Sequence, residues 1–227
     1  MSALNDWGRR MLALLFPYRC VACHEIVEPG TYWCPSCLKK NLQVVNHTLS
    51  PHDPLDALIT LTPYEGVVRS LFHMAKYHHS RRALAALSAL AVEGMRMAIK
   101  QPFWRSEFAG ASLVLIPGDI RRLANRGVDI PRVLFTDALP KQPVWQLLSR
   151  NRPTAPQYSL GKQERRTNVA HCFSVAPGNS PQGVLLLADD IFTTGATLRE
   201  AARTIKKAGA PTIIGLALAH DNRFTTE

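Results

Sequence analysis

Val184-Leu185-Leu186-Leu187-Ala188-Asp189-Asp190-Ile191-Phe192-Thr193-Thr194-Gly195-Ala196-Thr197-Leu198 is the stretch on which the reading of this chain turns. Its opening apolar run, bounded by Gly183 and two acids, is too short for a helix and has no polar alternation, which predicts a buried parallel strand. A helix follows. Leu198, Ala201, Ala202, Ile205 and Ala208 recur at helical spacing, Lys206 and Lys207 fall in the last turn, and Gly209 stands where a C-terminal cap belongs. Thr212 to Leu218 then reads as the next strand. The unit is β-loop-α-β, and a right-handed crossover sets both strands parallel in one sheet.

The loop between strand and helix carries the chemistry. Exposed backbone N–H groups at a helix start attract phosphate, the hydroxyls of Thr193, Thr194 and Thr197 can donate to its oxygens, and Gly195 permits close backbone approach. Just upstream, Asp189 and Asp190 are acceptors when ionised, suited to sugar hydroxyls or to a cation bridging sugar and pyrophosphate. A ribose 5-phosphate fits that layout. The loop lacks both the Gly-Lys-Ser/Thr ending of a triphosphate loop and G-x-G-x-x-G, so ATPase and dinucleotide-binding readings have no warrant.

From Leu185 to Thr197 the pattern is four apolar residues, two acids, two apolar residues and Thr-Thr-Gly-x-Thr. It resembles the 5-phosphoribosyl 1-diphosphate (PRPP) motif of type I phosphoribosyltransferases. The resemblance implies a PRPP site over Asp189, Asp190, Ile191, Phe192, Thr193, Thr194, Gly195, Ala196 and Thr197, with Mg²⁺ accompanying the ligand. If the site is catalytic, Asp189 and Asp190 are its catalytic acids. The bland alternative is a buried strand leading into a well-capped helix, but capping needs one acid and no run of threonines.

With 227 residues, 46% hydrophobic and 19% charged, the chain has room for one substantial α/β core and a small accessory unit. Ala83 to Val92, the longest apolar tract, contains Ser88 and falls far short of the ~20 residues a membrane span needs, so no membrane insertion is expected. Trp7, Met11, Leu12, Leu14, Leu15 and Phe16 predict a brief amphipathic helix without a signal peptide's continuous apolar region; the expected compartment is the cytoplasm. A net charge of +10 favours an anionic ligand or partner without choosing between metabolite and nucleic acid.

Cys20-Val21-Ala22-Cys23 and Cys34-Pro35-Ser36-Cys37 form two C-x-x-C knuckles. Together they offer four thiolates to one tetrahedral Zn²⁺; the alternative, two disulfides, needs an oxidising compartment. With all four positions taken by protein the zinc would be structural, holding a segment too small to build its own core. Cys172 is left over and reads as a small core residue.

Asn41 to Pro54 shows no periodicity and predicts the boundary between a unit spanning residues 1–50 and a larger α/β domain spanning 51–227. Within that domain Leu55 to Leu61 begins the core, a polar stretch runs from Phe72 to Arg82, and a helix is predicted from Ala83 to Lys100. Ala111 to Ile116 predicts a second buried strand, ended by Pro117-Gly118. In an open parallel sheet, ligands bind beyond the carboxyl ends of strands, so the loop carrying Arg121, Arg122 and Arg126 should face the same crevice as Asp189 and Asp190. Arg150 to Asn168, basic and broken by prolines, predicts a loop that closes over a ligand.

The whole chain resembles the ComF (GntX-like) competence family, in which a four-cysteine knuckle precedes a phosphoribosyltransferase-like domain. Lys76-Tyr77 is similar to the family's Lys-Tyr. Pro117, Arg121-Arg122 and Arg126-Gly127 are similar to its Pro-x-x-x-Arg-Arg-x-x-x-Arg-Gly, and Arg150, Arg152, Thr154, Gln157, Leu160, Arg165 and Asn168 to its arginine-rich stretch. Lys76, Arg121, Arg122, Arg126, Gln157 and Arg165 become candidates for the pyrophosphate or substrate loops. The chain departs from the family at Val128-Asp129-Ile130, where an aromatic and Asn-Gln are usual, and at Asp119, where His or Ser is usual. The resemblance implies a parallel sheet flanked by helices and a part in natural transformation, handling incoming single-stranded DNA beside a helicase-like or DNA-processing partner.

The leading expectation is therefore a zinc-containing, PRPP-binding protein of the competence type, whose site either transfers a phosphoribosyl group or only senses its ligand. Two rivals stand beside it. One is a non-enzymatic adapter that holds DNA or a partner protein; the other is a nucleobase-salvage phosphoribosyltransferase.

Overall fold

The structure is a computed structural model and describes residues 17–104, 108, 110–153, 167–176, 178 and 181–221. The helix expected around Trp7, and the candidates Gln157 and Arg165, lie outside these residues, as does the side chain of Arg122.

Strand β1 spans Val45–His47, β2 Ala57–Pro63 and β3 Ser112–Leu115. Two longer strands, β6 (Val184–Phe192) and β7 (Thr212–His220), form the centre of a sheet ordered β1-β2-β7-β6-β3. All pairings are parallel except β1 against β2. The apolar runs of β6 and β7 are buried on both faces, which is why neither alternates. Asn41 to Pro54, where the boundary between units is expected, contributes β1 to the sheet, with Val45 opposite Thr60 and His47 opposite Leu58. Three residues are too few to show a period, so the strand left no trace in the sequence pattern.

Helices cover both faces. On one side lie α2 (Gly66–Tyr77), α3 (Arg81–Ala98) and α5 (Ile130–Ala138), whose Phe72, Leu87, Leu90, Leu134 and Phe135 pack onto Leu186, Ala188 and Leu216. The polar stretch from Phe72 onward proves to be the second half of α2, because Val68, Leu71, Phe72 and Ala75 line one face of a helix that begins at Gly66. On the other side α6 (Ala196–Lys207) buries Leu198, Ala201, Ala202 and Ile205 against Leu185, Leu187 and Ile213. A small antiparallel pair, β4 (Leu148–Arg150) with β5 (Phe173–Val175), joins this layer. Cys172 is wholly buried there, as expected of a small core residue.

The cysteine unit docks on the first layer. An antiparallel bridge between Arg19 and Ile26 closes the first knuckle, and α1 (Pro35–Asn41) starts at the second, capped by the Cys34 side chain. Trp33 is 6% exposed and its Nε1–H donates to the Ala86 carbonyl of α3 at 2.8 Å, while Arg82 donates to the Arg19 carbonyl at 2.6 Å. The small unit shares the main core instead of standing apart from it.

Candidate functional site

β6 runs on through both acids to Phe192, so Asp189 and Asp190 lie within a strand and only Thr193 to Gly195 forms the turn into α6. Successive strand residues point to opposite faces, which divides the acids. Asp190 points towards α2, where its Oδ2 lies 2.6 Å from Lys76 Nζ, with the two side chains 15% and 20% exposed. Asp189 accepts the Asp190 backbone N–H at 2.8 Å. Burial first, and then the charge of Asp190, raise the Asp189 carboxyl from 3.8 to about 7, while Lys76 and Arg150 pull the other way. Near neutral pH the Asp189 carboxyl is therefore only partly ionised.

The turn itself needs Gly195, whose φ is +69°. A Cβ there would clash with the Phe192 ring and with the Arg199 guanidinium. Arg199 braces the turn: its NH1 donates to the Thr194 carbonyl at 2.8 Å, its Nε to Asp53 Oδ2 at 2.7 Å, and its guanidinium lies 5.4 Å from the Phe192 ring centroid. Asp189, Thr193, Gly195 and Thr197 line a small concavity at the start of α6. Thr194 does not join them. It is buried, its Oγ1 accepts the Ala196 N–H, and it lines a different cavity on the far side of the turn.

The segment after β3, expected as an arginine loop, is a short helix, α4 (Ile120–Arg126). Asp119 caps its start by accepting the Arg121 N–H, and Gly127 ends it in the left-handed conformation. That helix sets the arginines apart: Arg121 is exposed, whereas the Nε of Arg126 is buried with no hydrogen-bond partner among the described residues. Arg150 on β4 donates to the Pro117 carbonyl at 3.0 Å and stacks over Phe173, tying the small hairpin to the end of β3.

Two further groups at this crevice were not picked out from the sequence. Asp129 is the residue before α5, and burial raises its carboxyl, the Asp190 charge adding to the rise and Arg132 and Arg126 opposing it. Tyr64, just after β2, is raised chiefly by burial and lies within the electrostatic reach of Lys76 and Asp190. The departure from the family at Asp129 was visible in the sequence; its placement beside Asp190 was not.

The four cysteines meet as their spacing predicted. Their Sγ atoms all lie within 4.8 Å of one another, and the Cys23 to Cys34 separation is 3.6 Å. Tetrahedral Zn–S bonds of about 2.3 Å require sulfurs roughly 3.8 Å apart, so the set fits one zinc ion. Burial works against ionising Cys20, yet backbone N–H groups of Cys23, Cys34 and Ala22 hold its thiol down to about 6. Burial and the neighbouring thiols push Cys37 up to about 12. A cation among the sulfurs would offset the repulsion that raises Cys37, as a metal cage requires. Among the described residues no other cluster of three or more His, Cys, Asp or Glu side chains is placed to hold a metal, and no helix is long and apolar enough to cross a membrane.

Fold and site together define an α/β protein with a mostly parallel sheet, a hydroxyl-rich turn at the carboxyl end of a central strand, and a four-cysteine zinc unit. Residues 11–48 match the double zinc ribbon domain. The chain is 25% identical over 224 residues to "DNA utilization protein YhgH" of Salmonella typhimurium, covering 93% of this chain and 89% of that protein. It is 24% identical over 215 residues to "Competence protein F" of Haemophilus influenzae, with 87% and 82% covered. To the Escherichia coli "DNA utilization protein YhgH" it is 23% identical over 221 residues, with 93% and 89% covered. These similarities agree with the competence-family resemblance drawn from the motifs.

Proposed function

We propose that the protein binds PRPP together with Mg²⁺ at the end of β6 and acts in the use of DNA taken up by the cell, as a cytoplasmic protein whose zinc unit is structural. What supports this reading is the presence of anion-seeking and hydroxyl-seeking groups around the carboxyl end of β6, on both faces of the sheet. Lys76 and the buried Nε of Arg126 suit a pyrophosphate; Thr193, Gly195 and Thr197 at the start of α6 suit the 5-phosphate; Asp189 and Asp190 suit the ribose hydroxyls. Mg²⁺ would arrive on the pyrophosphate, neutralising charge that Lys76 and Arg126 alone leave uncompensated. The part played with DNA rests on the names borne by the similar proteins.

Ligand entry has a definite first step in this arrangement. Lys76 already holds Asp190, so a pyrophosphate draws the ammonium away and frees that carboxylate for a sugar hydroxyl. Calorimetric titration with PRPP and Mg²⁺ tests the reading. Binding is expected in the wild-type protein and a loss of at least tenfold in Asp189→Asn/Asp190→Asn, since charge-assisted bonds of about 1.5–3 kcal/mol each are removed. Affinity left unchanged by that double substitution refutes the assignment. Pyrophosphate release with a panel of nucleobases then tells a transferase from a protein that only senses PRPP.

A further inference from the structure

The turn after β6 has two sides. Thr193, Gly195 and Thr197 line the small concavity on one, while Thr194, Arg199 and Asp53 line the half-open cavity between β1 and α6 on the other. Arg199 stands one helical turn after Gly195, to whose carbonyl its own N–H donates at 2.9 Å. Helical side chains lean back towards the N-terminus, so the guanidinium reaches behind the turn. There its NH1 donates to the Thr194 carbonyl at 2.8 Å and its Nε to Asp53 Oδ2 at 2.7 Å. Asp53 is itself held. Its side chain is 4% exposed, its other oxygen accepts the Leu55 N–H at 3.1 Å, and its N–H donates to the Ser50 carbonyl at 3.0 Å in a segment stiffened by Pro51 and Pro54. The guanidinium is thus tied to two fixed groups, one of them 146 residues away in the chain.

The Thr194–Gly195 peptide gives this brace a consequence for binding. The peptide is trans, so its carbonyl and its N–H point in opposite directions. Holding the Thr194 carbonyl towards Arg199 therefore aims the Gly195 N–H away from Arg199, to the side where Thr193 and Thr197 line the concavity. Gly195 does not enforce this by itself: its φ is +69°, and glycine adopts positive and negative φ about equally, so reversing the peptide costs little at this residue. The orientation has to come from a contact, and the Arg199 fork supplies it.

We infer that Arg199 and Asp53 are positioning residues for the phosphate at this turn. Asp53 holds the guanidinium, the guanidinium holds the Thr194 carbonyl, and the Gly195 N–H is kept facing the 5-phosphate. The inference rests on the proposed reading of the turn as the phosphate-binding part of a PRPP site. Both residues act from behind the turn, outside the motif that defines it. The effect is opposite in sign to plain charge attraction. Asp53→Ala removes a negative charge near the turn, which by charge alone tightens anion binding; loss of the peptide's orientation weakens it. Arg199→Lys keeps the positive charge but replaces the planar fork with a single ammonium, which does not hold carbonyl and carboxylate in the same geometry.

Two measurements on the full-length, zinc-loaded protein test this. Nitrogen-15 relaxation dispersion without ligand reads the peptide itself: the Gly195 amide is expected to be free of microsecond-to-millisecond exchange in the wild type and broadened by exchange in Asp53→Ala and Arg199→Lys, where both orientations are populated. Calorimetric titration then reads the consequence. Ribose 5-phosphate affinity should fall about tenfold or more in each variant, the size of one lost hydrogen bond to a charged oxygen. Pyrophosphate with Mg²⁺, assigned to Lys76 on the other face of the sheet, should change less than twofold, whereas a general loss of structure would weaken both ligands alike. Unchanged or tighter ribose 5-phosphate binding in Asp53→Ala, equal losses for the two ligands, or a Gly195 amide without exchange in both variants overturns the inference. A wild-type protein that binds no ribose 5-phosphate instead refutes the reading of the turn, and the Gly195 amide then decides alone whether Arg199 and Asp53 set the peptide.

Discussion

Replacing Asp189 with Asn isolates the cost of holding a carboxyl at the end of β6. Its raised pKa means that the folded apo protein binds this proton more tightly than the unfolded chain does. Stability from this group is therefore present at low pH and is lost as pH rises from about 4 through about 7. The gap between 3.8 and about 7, at about 1.36 kcal/mol per pH unit, corresponds to roughly 4 kcal/mol once the group is fully ionised. Water reaching the partly open crevice screens this to on the order of 2 kcal/mol. Asn keeps an oxygen to accept the Asp190 N–H, so the substitution removes charge without removing that bond. At pH 8 the apo variant should melt above the wild type by ~4–8 °C, given ~2–4 °C per kcal/mol for a chain of this size. The gap should close as pH falls towards 4. Differential scanning calorimetry across pH 4 to 8 measures it. A variant less stable than wild type at pH 8, or a difference that does not change with pH, refutes the account and favours a purely structural role at the helix start.

Cys34→Ser should release about one equivalent of zinc and unfold the cysteine unit, because metal binding and folding are one equilibrium there; metal analysis and loss of Trp33 fluorescence burial report it, and zinc retained at one equivalent counts against the cage. Gly195→Ala forces a side chain into the left-handed region and against Phe192 and Arg199, so a loss of more than ~1 kcal/mol in denaturant unfolding is expected, with PRPP binding lost as well; an unchanged midpoint would refute the packing described. His47, kept neutral mainly by burial, contributes stability that is present above its unfolded value of 6.5 and lost as pH falls towards about 4. His47→Gln should flatten that limb of the stability curve, and an unaltered acid limb would show that the ring is not the titrating group.

The central strand, the helix after it and the cysteine cage were legible in the sequence because each depends on residues close together in the chain. A continuous apolar run marks a strand buried on both faces, a period near 3.6 marks the helix, and two knuckles with a short spacer allow little besides a shared metal. Thr193, Gly195 and Thr197 line the concavity at the helix start for the same local reason. What tertiary structure decided is everything that joins distant segments. β1 was invisible because a three-residue edge strand takes its identity from its partner. Strand alternation past Ala188 sent Asp189 and Asp190 to different faces, and only the packing of α2 could bring Lys76 to one of them. Burial, a property of the whole fold, raised the Asp189 and Asp129 carboxyls, left Arg126 Nε without an acceptor among the described residues and shaped the half-open cavity between β1 and α6. Local order follows from neighbouring residues; charge state and enclosure follow from which surfaces meet, and those meetings are set by packing across the entire sheet.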